Sequence, residues 1–151
     1  MIDYVSLHNY TYYSIMRSIN KPATLISAAS EKGMPAIAVT DYCTLAGIHE
    51  SYQASLKDKT KLIVGCHLNF TDDRASVFDF LSGTIPTKPE IDRRSLIVMA
   101  CNATGYKNIL KMNFEAEKCK LEKASKIDKV SLIDWDILER HSEGVICLTG
   151  D

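Results

Sequence analysis

The amino-acid sequence predicts an α/β fold in which parallel strands alternate with flanking helices. Three observations carry that expectation. Short apolar runs suited to buried strands recur along the 151 residues. Between them lie stretches whose apolar side chains follow helical spacing. The connections are long enough for right-handed crossovers.

Ile2-Asp3-Tyr4-Val5-Ser6-Leu7 reads as a first strand. Residues 24–32 read as a helix, with Pro22 suited to its first turn and Gly33 to its stop. Ala36 to Thr40 is a continuous apolar run after Pro35, so a strand buried on both faces is expected. A second helix spans Leu45 to about Leu56, with Ile48, Tyr52 and Leu56 at helical spacing. Lys61 to Phe70 reads as a third strand. Residues 71–92 carry Asp72-Asp73, Gly83, Pro86 and Pro89 and read as an irregular excursion, with room for a helical turn at Val77–Leu81. Ser95 to Cys101 is a fourth strand and Gly105 to about Lys123 a long helix. After a loop at Lys126–Lys129 come a short helix, Trp135–Glu139, and a fifth strand, Gly144–Leu148.

In such folds chemistry sits at the carboxyl ends of strands. That rule singles out His8, Asp41-Tyr42, His67 and Asp151. His49, within a helix, and His141, in a turn, read as surface or capping residues.

Composition bounds the function. The formal net charge is −1, so the chain as a whole is no electrostatic binder of DNA. Residues 107–129 hold seven lysines against four acids, which on a helix reads as a solvated face. Cys43, Cys66, Cys101, Cys119 and Cys147 are odd in number and form no C-x-x-C, so they read as reduced, mostly buried small hydrophobes. No apolar run approaches the roughly 18 residues of a membrane span. With no secretory leader visible, a soluble, cytoplasmic protein is expected.

Several segments then stand in a telling order. They are Leu7-His8-Asn9-Tyr10-Thr11-Tyr12-Tyr13-Ser14, Lys32-Gly33-Met34-Pro35-Ala36-Ile37-Ala38-Val39-Thr40-Asp41-Tyr42 and Leu45-Ala46-Gly47. Lys61-Leu62-Ile63-Val64-Gly65-Cys66-His67, Asn102-Ala103-Thr104-Gly105-Tyr106-Lys107-Asn108-Ile109-Leu110 and His141-Ser142-Glu143-Gly144-Val145-Ile146-Cys147-Leu148-Thr149-Gly150 follow. In that order they resemble the motifs of the polymerase-and-histidinol-phosphatase (PHP) domain of bacterial DNA polymerase III alpha subunits.

The resemblance implies a partial PHP-type (β/α)7-like barrel. Residues 1–151 would be the N-terminal portion of that domain, truncated relative to the family. Active members resemble multinuclear metal phosphoesterases, whose cations polarise phosphate and generate hydroxide. By the resemblance, His8 matches the family's first histidine. Tyr10 stands where a second histidine belongs, Arg17 where an aspartate does, and Tyr42 replaces the histidine after Asp41. His67 replaces a glutamate, Ser95 a histidine, and Asp151 a cysteine. These eight residues, His8, Tyr10, Arg17, Asp41, Tyr42, His67, Ser95 and Asp151, form the expected vestigial pocket.

Arg17 would set a permanent cation where metals would sit, and neutral phenols are poor ligands. No catalytic residue and no cofactor are therefore expected. A minimal zinc or manganese site, if any, would use His8, His67 and Asp151. The other expectation is that His8 and His67 hydrogen-bond within the pocket, to Tyr10 or Tyr42. Asp41 is expected to cap the helix that follows it.

The leading function is a non-catalytic module that braces the remainder of the polymerase alpha subunit and docks the proofreading exonuclease subunit. It would meet DNA only through the complete polymerase, and no membrane. The alternatives are a residual metal-dependent phosphoesterase or exonuclease, and a free-standing interaction protein that mimics the domain.

Overall fold

A computed structural model describes residues 4–86, 92, 94–118 and 131–150. Helix α1 is Pro22–Glu31, β1 Ala36–Val39, α2 Ile48–Asp58 and β2 Lys61–Phe70. Helix α3 is Arg74–Ser82, β3 Arg94–Ala100 and α4 Ala103–Glu117. Strand β4 is Leu132–Ile133, α5 Trp135–Arg140 and β5 Val145–Thr149.

The first half follows the expected pattern. Pro22 opens α1, where its missing N–H costs nothing, and Gly33 leaves the helix at φ +70°. All four residues of β1 are buried. The expected strand at residues 2–7 is reduced to one bridge, Ser6 to Ile37, with Ile2 and Asp3 outside the described residues. Helix α2 starts at Ile48, after Gly47, and buries Ser51 and Ser55, while Tyr52 and Leu56 face solvent. The buried face is therefore rotated from the expected one. Helices α1 and α2 pack around Ile26, Ala29, Ile37 and Ala54.

Strand β2 organises the sheet. Its first half pairs in parallel with β1, Ala36 opposite Lys61 through Val39 opposite Val64. Its last two residues pair in parallel with β4, and its other edge pairs with β3 from Gly65–Met99 to Phe70–Arg94. The α/β class holds, but strand direction differs from the all-parallel expectation: β3 runs antiparallel to β2 and to β5. The chain leaves β2 at Phe70 and re-enters the sheet opposite it at Arg94, so it must run back.

The segment expected to be irregular holds the nine-residue α3, capped by Asp73 accepting from Ser76 N and closed by Gly83 at φ +80°. The expected long helix starts two residues earlier, at Ala103. Its reach to Lys123 and the loop at 126–129 lie outside the described residues.

Period-two alternation divides β2 between two cores. Cys66, Leu68 and Phe70 face α4 and α5, packing with Val98, Ile109, Met112, Ile133 and Ile137. Each such buried side chain contributes roughly 1.5–3 kcal/mol. On the other face Ala38, Ile97 and Met99 meet Ile63 and Leu148. His67 and Asn69 share that second face. They stand with the ends of β1 and β5 and the beginning of β3 at one end of the sheet. The cysteine expectation is corrected: Cys66 is buried and Cys43 half-buried, but Cys101 and Cys147 are exposed, at the end of β3 and on the outer strand. Cys119 lies outside the described residues.

Candidate functional site

Asp41 follows β1 and is fully buried. Its Oδ1 accepts from Thr11 N and Ser14 Oγ, both at 2.6 Å, and its Oδ2 accepts from Thr11 Oγ1 at 2.7 Å. Ser14 Oγ accepts in turn from Tyr42 N at 2.9 Å. The expectation that Asp41 caps the next helix is therefore corrected. Asp41 holds the loop that brings Tyr10 to Ser18 over the sheet end, and α2 begins at Gly47 without a side-chain cap. Gly47 is required by the same packing, because a Cβ there would stand 2.5 Å from Asp41 Oδ2.

Three aromatic contacts gather beyond this hub. Tyr10 Oη and His67 Nδ1 lie 2.5 Å apart, and His8 Nε2 is 3.4 Å from the same nitrogen. Tyr42 meets the His67 ring edge-on, at 5.2 Å between centroids. Its hydroxyl donates to Asn69 Oδ1 at 2.9 Å, and Asn69 Nδ2 donates to Ser131 O at 3.1 Å. Burial holds the Tyr10 phenol above its ordinary pKa, opposed by the charge of Arg17. Tyr10 is therefore neutral near pH 7, as a hydrogen-bonding partner of imidazole should be. The Arg17 guanidinium lies over the Tyr42 ring, 3.6 Å from its centroid, in stacked cation–π geometry.

Six of the eight expected residues thus gather at one sheet end: His8, Tyr10, Arg17, Asp41, Tyr42 and His67. Ser95 stands in register with Asn69 on the adjoining strand, and its carbonyl accepts from Gly150 N at 2.7 Å. It belongs to the same end of the sheet. Asp151 lies outside the described residues. Sequence reasoning missed Thr11, Ser14 and Asn69 as members. Asn69 could have been found, because it follows His67 by two and so shares its face.

A multinuclear metal site needs several hard or borderline donors converging with room for ions. The donors among the described residues do not fit one. Asp41 is turned away toward Thr11 and Ser14, two imidazoles share one hydrogen-bonded corner, and a guanidinium lies over the pocket's tyrosine. Among the described residues no three His, Cys, Asp or Glu side chains converge. No helix among them is long and apolar enough to cross a membrane.

An α/β sheet with a cluster of His, Tyr and Asp at its strand ends defines a class, and comparison with known proteins gives its family. The PHP-domain family matches residues 6–151, and the chain belongs to that family. Within it, the chain is 30% identical over 156 residues to the DNA polymerase III subunit alpha of Mycobacterium tuberculosis. That match covers 98% of this chain and 13% of that protein. It is 33% identical over 147 residues to the DNA polymerase III subunit alpha of Escherichia coli K12, covering 97% of this chain and 11% of that one. The chain therefore spans about an eighth of the length of these relatives. Among solved structures, a putative metal-dependent phosphoesterase from Bifidobacterium adolescentis matches with a TM-score of 0.54 at 17% identity. That match covers 92% of this chain and 43% of that one, a likeness of fold.

Proposed function

We propose that this chain is the PHP module of a replicative DNA polymerase III alpha subunit and performs no phosphoester chemistry of its own. In this reading it braces the remainder of the polymerase and docks the proofreading exonuclease subunit. DNA is reached only through the complete polymerase, in keeping with the net charge of −1. Family membership and the order of the matched segments support the module assignment.

One observation carries the non-catalytic part: the pocket is closed by protein-to-protein contacts. Tyr10 and His8 meet on His67, Tyr42 bonds Asn69, and Arg17 occupies the remaining aromatic face. A metal-generated hydroxide needs open coordination positions. A guanidinium that carries its charge at every physiological pH opposes such an ion.

The test is twofold. Protein purified without chelator should hold well under one equivalent of zinc, manganese or iron, and should not turn over a model phosphodiester with either zinc or manganese added. Turnover that disappears in His8→Ala would overturn the non-catalytic reading. Surface plasmon resonance against the proofreading exonuclease subunit encoded in the same genome tests docking. A dissociation constant in or below the micromolar range is expected, about −8 kcal/mol or better. Absence of binding removes that half of the proposal.

A further inference from the structure

The loop carrying Arg17 does more than fill the pocket. Ile15, Met16 and Ile19 are 82%, 100% and 93% exposed, three large aliphatic side chains within five residues. Isolated surface aliphatics need no explanation, but a contiguous apolar tip marks an interaction site. The tip is rigidly presented. Tyr12 N donates to Asn20 O at 2.8 Å across its base, Ser18 Oγ donates to Tyr10 O at 2.9 Å, and Asp41 anchors Thr11 and Ser14 beneath. Met16 is held at φ +63°, a left-handed conformation unfavourable for a side chain of that kind. Beside the tip runs an open groove of about 470 Å³ lined by Met16, Arg17, Ser18, Ile19 and Asn20.

Charge narrows the occupant. Between Tyr4 and Ser30 the sequence contains Arg17 and Lys21 and no acidic residue. The nearby carboxylates are engaged elsewhere, Asp41 by Thr11 and Ser14, Glu50 by the hydroxyl of Tyr12 at 2.8 Å. Among the described residues no carboxylate forms an ion pair with Arg17. A two-fold pairing of this surface with a second copy would bring Arg17 toward Arg17, which disfavours self-association. Arg17 is exposed while its guanidinium lies over the Tyr42 ring, so a carboxylate of a docked segment can reach it.

We propose that Ile15–Asn20 is a docking surface for a protein segment presenting large apolar side chains beside a carboxylate, the apolar groups meeting Ile15, Met16 and Ile19 and the carboxylate pairing with Arg17. This goes beyond the module reading and holds whichever protein supplies the segment.

The full chain, immobilised, is panned with a phage library of random dodecapeptides. Each recovered peptide is then titrated calorimetrically against the chain, Arg17→Ala, and the double variant Met16→Ser with Ile19→Ser. The expected peptides carry Asp or Glu flanked by Leu, Ile, Phe or Trp. Each variant should weaken them at least tenfold. The double variant, whose side chains are almost fully exposed, should keep the parent melting temperature, while Arg17→Ala loses its contact with the Tyr42 ring and should melt slightly lower. Failure to enrich any peptide, enrichment of basic peptides, or equal binding to the variants overturns the proposal. So does a sedimentation dimer lost in the double variant, which would assign the tip to self-association. Co-sedimentation with phosphatidylglycerol–phosphatidylethanolamine vesicles, lost in the same variant, would assign it to a membrane and overturn the proposal equally. Exonuclease binding retained by the chain alongside failure of the peptide tests would leave the module reading standing and overturn this surface alone.

Discussion

Replacing Asp41 with alanine removes the acceptor of three hydrogen bonds, from Thr11 N, Thr11 Oγ1 and Ser14 Oγ, at a fully buried position. A hydrogen bond to a charged group contributes about 1.5–3 kcal/mol net, and a buried donor left unsatisfied costs about 1–3 kcal/mol. The three share one carboxylate, so their contributions do not add fully. A loss of about 4 kcal/mol is the reasoned value. For a chain of this size each kcal/mol moves the melting temperature by roughly 2–4 °C, giving a fall of roughly 8–16 °C. Asp41→Asn is the informative control. Its amide oxygen can replace Oδ1, accepting from Thr11 N and Ser14 Oγ, while its NH2 faces Thr11 Oγ1, whose hydroxyl can turn to accept. Only the charge is lost, so Asn should cost about 1–2 kcal/mol. Urea unfolding followed by circular dichroism measures both, with a two-state fit checked by coincident probes. An alanine variant within about 1 kcal/mol of the parent, or Asn and Ala of equal cost, would refute the claim that Asp41 holds the loop.

Gly47→Ala should destabilise by about 2 kcal/mol, because its Cβ would press on Asp41 Oδ2 and on Thr11 Oγ1 at 2.8 Å, read by the same urea titration. Gly105→Ala should cost more, about 3 kcal/mol, since the added carbon would fall 1.8 Å from the Gly144 carbonyl oxygen and force the backbone of α4 away from the turn before β5. A melting temperature unchanged in either variant would contradict the packing described. Burial first, and then the charges of Arg140 and Lys111, hold His141 below its ordinary pKa. The fold therefore favours neutral imidazole, a contribution present above about pH 6.5 and lost as pH falls below it. His141→Gln should consequently lose less melting temperature between pH 7 and pH 5 than the parent, and an equal or steeper fall would contradict the sign. Excess EDTA should leave the melting temperature within about 1 °C of its value in zinc-containing buffer, because saturating ligand at a hundred times its dissociation constant would add about 2.7 kcal/mol.

Much of this fold is legible where local physics decides it. Pro22 and Gly33 bracket α1, and the unbroken apolar run Ala36–Val39 forms a strand buried throughout. Strand direction is a different matter, because an apolar run is the same read either way, and only the return of the chain opposite Phe70 makes β3 antiparallel. The two-residue β4 is too short to leave a period. Helix α3 buries Val77 but leaves Phe78 exposed, so its apolar pattern is weak, and its signals are the Asp73 cap and Gly83 stop. In α2 the buried positions hold Ser51 and Ser55, whose hydroxyls donate to the helix's own carbonyls at Gly47 and Tyr52, while Tyr52 and Leu56 face solvent, so apolar spacing alone misplaces the face. At the site, the strand-end rule and the family resemblance find the ring residues. They miss Thr11, whose bonds to Asp41 span 30 positions and leave no trace in local spacing, and Asn69, whose place two residues after His67 on the same strand face was the one signal available.

The bonds at this sheet end form a connected set. Asp41 ties the end of β1 to the loop at Thr11 and Ser14, and Tyr10 ties that loop to β2 through His67. Tyr42 ties the residues after β1 to Asn69, and Asn69 ties β2 to Ser131, just before β4. A metal cluster at strand ends stabilises a fold by drawing its ligands together, and that contribution disappears with the ion. Here hydrogen bonds and one buried carboxylate join the same elements through protein groups. A site stabilised in this way tolerates a cation such as Arg17 at its mouth, which a site depending on bound metal would not. Tyr10, Tyr42 and Arg17 are therefore best understood together: two phenols supply the cross-links, and the guanidinium packs on one of them beside Met16 and Ile19.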